Sequence, residues 1–436
     1  MISRTGTSRR ARALAMGGRA LQAAGLWRPA GAAYKAALRR DNRPAEWRYR
    51  LGLSREHQKR FADAAADYEE ALARGNDAER ALAQAGIERL VHKSLAAGRS
   101  MARDSESAVF EIAFLPAPSK FKNLASARIR CNYMSVAINE HYAPQVRAVI
   151  GEPDRASAIV ISQTCSAKTL VACALAKGRG ARIVYDYCDP YADHEGVAHG
   201  IYAAERFKDI ADLADSITVP TQAMRKRVVG QRIHVPVVLL PDTIDYQEQT
   251  QSGLVPPTKS VVWFGNPGRG NLESGLWALK ALEQRWGYAV TLITDPSKVE
   301  DLADFVVEPW VHDGFVDRLR RHGLALISQD PAANYKSENR YVVSIMNGIP
   351  AISSGSESIS ALLHRGGFAE MQVDDDRELD RAIERLSDAS FRSNYVARMQ
   401  DLIRKEFGPA AVATCFVEGV LMQTLGVPIK RRASGE

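Results

Sequence analysis

The sequence predicts an α/β protein in which two Rossmann-like domains follow an all-α helical module. Three observations lead there. Residues 1–98 repeat a helical pattern every 34 positions. From about Ala108, short apolar runs alternate with helical stretches. A polar, proline-containing stretch, Gln247–Thr258, divides those runs into two sets. At 436 residues the chain has room for two to three domains, and 46% hydrophobic with 25% charged residues provides for buried cores. The expected boundaries are 1–98 for the helical module, 106–246 and 259–424 for the α/β domains, and 425–436 for a basic tail.

In the helical module Gly18 pairs with Gly52, Trp27 with Phe61, Ala30 with Ala64, Tyr34 with Tyr68, Ala37 with Ala71, and Leu38 with Leu72. Small residues let paired helices approach closely, and the aromatic fills the space they leave. This matches the tetratricopeptide pattern at its small and aromatic positions. Arg55 stands where that pattern has an aromatic, and Asn76 where it has a helix-ending proline. Two repeats rarely stand alone, so a further helix over roughly Asp77–Ala97 is expected to cap them. The Arg- and Ala-rich start fits this repeat register better than a transit peptide. Such modules present grooves, so a docking or polymer-contacting role is expected; simple packing on the α/β domains is the competing reading.

The apolar runs of the first set are Val109–Leu115, Ala158–Ser162, Arg182–Tyr187, Ser216–Pro220 and Val235–Leu240. Those of the second are Val261–Gly265, Ala289–Thr294, Phe305–Glu308, Leu324–Ser328, Ile349–Ser353 and Met371–Val373. Short β-branched runs separated by helices predict parallel sheets with right-handed crossovers. In open sheets of this kind ligands bind at the carboxyl ends of the strands.

The net charge of +7 is uneven. Residues 1–105 hold 21 Lys/Arg against 11 Asp/Glu, and the remainder 37 against 40. The basic module therefore suits an anionic membrane surface or polymer, or is simply solvated. No aromatic interleaving of the kind single-strand readers use is present, so nucleic acid is not an expected partner. Five scattered cysteines without a C-x-x-C pair argue against a disulfide framework and structural zinc. No apolar run is long enough to span a bilayer. A cytoplasmic protein, with contact to the inner membrane face through its basic parts, is the expected location.

The chemistry concentrates in Tyr335-Lys336-Ser337-Glu338-Asn339-Arg340, followed by Tyr341–Met346 and Asn347-Gly348-Ile349-Pro350-Ala351-Ile352-Ser353-Ser354. It reads as polar loop, short helix, tight turn and buried strand. Free amides and partial positive charge at a helix start favour phosphate, and Lys336 and Arg340 flank that start. The run resembles the donor corner of GT-B glycosyltransferases, where a similar "K-S-x-N-R … G-x-P-x-x-x-S" contacts the diphosphate of a nucleotide sugar. Other stretches resemble that family in order and spacing: Val184–Asp189, Ala211–Thr221, Leu239–Asp245, and Trp263-Phe264-Gly265-Asn266-Pro267-Gly268 as the glycine loop. The resemblance covers roughly 106–424. It implies a glycosyltransferase that moves a sugar from a nucleotide-sugar donor to a cell-surface polysaccharide or lipid-linked precursor, without metal or other cofactor.

On that resemblance Gly265, Asn266, Lys336, Ser337, Asn339 and Arg340 bind the donor. Asp186 and Asp189, at a strand's carboxyl end, and His194 on the next loop are candidates for the acceptor's base, with Glu195 a rival and helix capping an equal alternative. Asn271–Ser274 divides between capping and donor contact. Ser126–Arg130 resembles an "S-x-R-x-R" found after the first strand of these domains; one of its arginines reaching the cleft is one expectation, with surface salt bridges the simpler account. Asp374-Asp375-Asp376 reads as a helix cap rather than a metal site. Gly348 and Pro350 are expected to shape a turn and touch nothing, and Gln247–Thr258 to be a hinge. One departure stands out: the two glutamates that many retaining members of glycosyltransferase family 4 carry fall near Tyr335 and Val343 here. Two readings therefore stand beside the enzyme: an inactive scaffold in a polysaccharide assembly complex, and a polyol-phosphate transferase of teichoic-acid-like polymer synthesis.

Overall fold

The computed structural model describes residues 9–101, 109–118, 124–151, 153–190, 197–198, 201–231, 233–268, 270–299 and 305–429. His194, Glu195 and the Lys430-Arg431-Arg432 tail lie outside them. Two compact units are formed, Met1–Lys122 with Tyr142–Ile217 and Leu425–Glu436, and Asn123–His141 with Thr218–Thr424. No helix among the described residues is long and apolar enough to cross a membrane.

The first unit opens with five helices, α1 (Arg9–Ala23), α2 (Trp27–Arg40), α3 (Ala45–His57), α4 (Phe61–Arg74) and α5 (Asp77–Ser100). The period seen in sequence is a packing rule. Gly18 lies against the Tyr34 ring, and Gly52 and Gly86 lie on Tyr68, so a side chain at any of the three would displace an aromatic that is fully buried. Gly86 continues the 34-residue spacing into α5, which is thus the expected closing helix. Both departures from the repeat pattern have partners. Arg55 reaches Asp67 at 2.8 Å, and Asn76 caps α5 in a reciprocal capping box with Glu79.

A sheet then follows, of parallel pairing wherever register is defined, in the order β2-β1-β3-β4-β7-β8. Its strands are β1 (Phe110–Leu115), β2 (Val146–Ile150), β3 (Ala158–Ser162) and β4 (Arg182–Asp186), then β7 (Ser216–Val219) and β8 (Val237–Leu239). Between β4 and β7 lie a two-residue hairpin, β5 (Val197–Ala198) with β6 (Ile201–Tyr202), and α8 (Ala203–Leu213). Helix α7 (Ala167–Gly178) also belongs to this unit, whereas α6 (Met134–Tyr142) but for its last residue, α9 (Gln222–Val229) and strand β8 fall within the second. The sequence pattern did not reveal β2, an edge strand that alternates buried and exposed positions and carries Arg147.

The helical module is built into this unit. α5 and α7 cross at Gly98 and Gly178, where a Cβ on either glycine would overlap the other helix's backbone. Glu69 of α4 accepts the Ala167 amide at 2.9 Å, capping α7 from outside, and pairs with the buried Arg206 of α8 at 3.2 Å. Arg206 also faces Asp209 at 3.6 Å. Packing on the α/β layer is therefore what α4 and α5 do.

The second unit holds a five-stranded parallel sheet in the order β11-β10-β9-β12-β13. Its strands are β9 (Ser260–Phe264), β10 (Ala289–Thr294), β11 (Val306–Pro309), β12 (Leu324–Ser328) and β13 (Ala351–Ser354). Helices α10 (Leu276–Trp286), α11 (Phe315–Leu319), α12 (Asn339–Met346) and α13 (Glu357–Gly366) alternate with them. α14 (Asp376–Ser387), α15 (Ala389–Phe407) and α16 (Pro409–Thr414) come last, with a π-helical turn over Cys415–Thr424. The run at Met371–Val373 is not a strand: it makes a single bridge from Gln372 to Ser353. Asp375 caps α14 through the Glu378 amide. The stretch expected as a hinge is hydrogen-bonded to the rest of the second unit. Gln251 N–H bonds Asn347, Val255 N–H bonds the Gly348 carbonyl, and Arg392 and Gln400 hold the Val255 and Ser252 carbonyls. The Gly348 turn thus has a partner after all.

Replacing Gly178 with valine should drive α5 off α7 at a cost of about 1–3 kcal/mol or more. A melting temperature equal to that of the parent chain would contradict the crossing.

Candidate functional site

Sheet order places the switch point of the second unit between β9 and β12, since β10 and β11 extend one way and β13 the other. Arg340 sits at that point. Its Nη1 donates to the Phe264 carbonyl at 3.2 Å and its Nη2 to the Ser328 carbonyl at 2.6 Å, the last residues of the two strands. The guanidinium lies 5.6 Å from the centre of the Trp263 ring. No carboxylate among the described residues pairs with it, and burial alone pulls its pKa down to about 10, leaving it charged at neutral pH.

The next residue of α12 holds the arginine in position. Tyr341 is fully buried, and its hydroxyl meets that of Tyr395 at 2.7 Å, which in turn donates to the Ala351 carbonyl at 2.5 Å. Helix α12 is thereby locked to α15 and β13. The glycine loop after β9 fits over the guanidinium. Gly265 has φ +138°, and a Cβ there would lie 3.2 Å from Arg340. Its carbonyl accepts from Thr294 at 2.7 Å. Asn271 closes the loop by donating to the Gly268 carbonyl at 3.0 Å. This is a loop-holding role rather than a helix cap.

A cavity of about 320 Å³ opens beside Arg340. Gly265, Asn266, Asn339 and Arg340 line it, so four of the six expected donor residues meet in one place. Asn339 Oδ1 is buried with no hydrogen-bond partner among the described residues. Lys336 and Ser337 are outside the lining. The Ser337 hydroxyl donates to Asp242 at 2.5 Å, and Arg130 reaches the same carboxylate at 3.1 Å. Val343, where the family resemblance has a glutamate, also lines the cavity.

An arginine of Ser126–Arg130 in the cleft was one of the two expectations, and Arg128 lines this cavity; its pairing with Asp245 and the aromatic wall were not foreseen from sequence. Arg128 and Asp245 form a buried two-point ion pair, both bonds 2.7 Å, and Arg128 also covers the Tyr246 ring at 4.9 Å. Arg128 and Arg130 are thus buried; surface salt bridges, the simpler of the two expectations, do not form, and Arg128 reaches the cavity. The other wall is aromatic: Tyr246, Phe264, Trp310 and Phe315, with Tyr246 stacked on Phe315 at 4.9 Å. Tyr246 adopts a left-handed backbone, φ 54°, a conformation unusual for a bulky residue and a mark of a constrained position. The juxtaposition of Ser126–Arg130 with Leu239–Asp245 was the available signal, but only folding brings those segments together.

In the first unit Asp186 ends β4, is buried, and accepts from Ser162 at 3.2 Å. Asp189 is half-buried and accepts from Gln163 at 2.7 Å. Gln163 itself sits at φ 63° at the end of the neighbouring strand.

Converting Asp245 to asparagine leaves Arg128 buried without its counter-charge, a loss of about 3–5 kcal/mol that denaturant unfolding would detect. A second test uses pH. Glu338, just before α12, is buried with Oε2 unpartnered among the described residues, and burial pushes its carboxyl up to about 7. Its folded pKa exceeds the unfolded one, so the folded state holds the extra proton and stability should fall as pH rises from about 4.5 through 7. Glu338→Gln should flatten that decline, as seen in melting temperatures across the interval.

No family model matches the chain, and no curated protein does. Among solved structures it is similar to a mutant of the Thermobaculum terrenum O-GlcNAc transferase, at 13% identity over 95% of this chain and 96% of that one, TM-score 0.47. It is similar to TarM at 9% identity over 60% and 54% of the two chains, TM-score 0.44. The lipopolysaccharide outer core galactosyltransferase WaaB is similar at 12% identity over 71% and 99%, TM-score 0.46. Likenesses this distant do not decide what the present chain does.

Proposed function

We propose that this chain is a glycosyltransferase that takes a sugar from a nucleotide-sugar donor and passes it to a glycan or lipid-linked acceptor. The observation that carries the reading is Arg340: a half-buried cation with no ion-pair partner among the described residues, at the switch point of a parallel sheet, lining a cavity. Burying an unpaired charge is costly, and an anionic ligand would offset that cost. The sequence resemblance names the anion as a nucleoside diphosphate. Its flat base suits the aromatic wall of Tyr246, Trp310 and Phe315, and its phosphates suit Arg340 and the first-turn amides of α12.

In transfer, the bond from the sugar's anomeric carbon to the diphosphate oxygen breaks, and the acceptor oxygen bonds to that carbon. The acceptor proton passes to a base, and the nucleoside diphosphate leaves. Negative charge grows on the departing phosphate, so Arg340 and the α12 amides would stabilise the transition state more than the ground state. The positive charge they supply lets the proposal run without a metal ion. Asp186, Asp189 and His194 are the proposed bases. Asp189 is preferred over Asp186 because it is half-exposed, whereas Asp186 is buried. The basic helical module is proposed to meet an anionic acceptor polymer or membrane surface.

One observation favours a second reading, an inactive scaffold of the same ancestry: Val343 lines the cavity where the resemblance has the glutamate that usually binds the nucleotide ribose. Calorimetry with UDP, GDP, CDP and ADP separates the cases. The glycosyltransferase reading expects micromolar binding of at least one, weakened about ten- to a hundredfold by Arg340→Met. Binding without release of the nucleotide from any sugar donor would favour the scaffold. Absence of binding to all four nucleotides would remove the basis of both.

A further inference from the structure

A second cavity, of about 560 Å³, opens at the carboxyl ends of β12 and β13 in the same unit. It shares no lining residue with the Arg340 cavity. Its size falls within the range of about 300–1,000 Å³ typical of small-molecule sites. Its chemistry is opposite in sign: among the described residues, the lining carries the carboxylates of Glu357 and Asp374 and no Lys, Arg or His. Lys226, outside the lining, stands 3.8 Å from Glu357 and is largely solvated.

Beside Pro331 and Gly355, the rest of the lining is an indole, amides and hydroxyls. Trp277, on the first turn of α10, forms one wall. Gln329 follows β12, and Gln372 makes the bridge to Ser353, with its Oε1 buried and lacking a hydrogen-bond partner among the described residues. Ser354, Ser356 and Ser360 add hydroxyls from the end of β13 and the start of α13. The acidic run singled out in sequence is divided by this geometry: Asp375 caps α14, and Asp374 joins the cavity lining.

Two carboxylates without a cation in the lining disfavour a phosphate or carboxylate ligand. An aromatic face suits the C–H side of a pyranose ring, whose hydrogens meet the negative ring face. Sugar hydroxyls both donate and accept, and carboxylates, amides and serine hydroxyls answer them in both senses. We propose that this cavity is a binding site for a neutral saccharide, separate from the Arg340 cavity. The inference stands on the lining chemistry alone and does not require the nucleotide reading.

The test is saturation-transfer NMR on the full chain with maltotriose, chitotriose, mannotriose and galactobiose, with glucose 6-phosphate and spermidine as charged probes. At least one neutral sugar should bind, and glucose 6-phosphate should bind at least tenfold more weakly. Trp277→Ala and the cavity-filling Ser360→Leu should each weaken the sugar at least tenfold, and Arg340→Met should leave it unchanged. If Trp277→Ala fails to fold, Ser360→Leu decides alone. No binding of any neutral sugar overturns the proposal. So does sugar binding that survives Ser360→Leu or disappears in Arg340→Met, and so does a preference for spermidine. Nucleotide calorimetry on Ser360→Leu scores the Arg340 cavity independently.

Discussion

A half-buried guanidinium where two neighbouring parallel strands end, with no ion-pair partner among the described residues, sets the terms for everything around it. Arg340 satisfies two of its donor groups on the Phe264 and Ser328 carbonyls, but carbonyls do not neutralise a charge. A chain selected for stability alone would place an apolar residue there. The surrounding structure keeps the arginine in place at that cost. Tyr341 and Tyr395 clamp the helix that carries it, and Gly265 leaves room for its stem. Functional sites often store energy of this kind, and here the location, at the switch point, supports the same conclusion.

Around that charge the second unit segregates its chemistry. The Arg340 cavity contains the Arg128–Asp245 ion pair next to an arginine without an ion-pair partner among the described residues, with Lys298 and Asp295 and an aromatic wall also in its lining. The cavity beyond the β12–α12 loop is lined by carboxylates and hydroxyls. The loop itself is fixed from the other side by Asp242, which takes both Ser337 and Arg130. Residues from distant parts of the chain thus separate two surfaces of opposite character by one short segment.

The helical module shows a different economy. Its repeat is maintained by tyrosines seated on glycines, an arrangement that needs no partner. Yet α4 and α5 contribute Glu69 and Gly98 to the α/β layer behind them. A surface so engaged is not a free groove. On the first helix Arg9, Arg10, Arg12 and Arg19 are exposed.

What the amino-acid sequence determined by itself was local or periodic. The 34-residue repeat, the strands of the two larger sheets but β2, the glycine loop and the Arg340 helix were legible because each rests on residues close together in the chain; the β5–β6 hairpin was not. β2 escaped because an edge strand with an exposed arginine lacks the continuous apolar run of a buried one. The pairing of Arg128 with Asp245, the aromatic wall around Tyr246, and the withdrawal of Ser337 toward Asp242 were decided only by tertiary structure. Each joins segments far apart in the chain, and local pattern carries no information about which distant charge a buried arginine will meet. The bonds from the Gln247–Thr258 stretch to Asn347, Arg392 and Gln400 are decided in the same way, since they too join residues far apart in the chain.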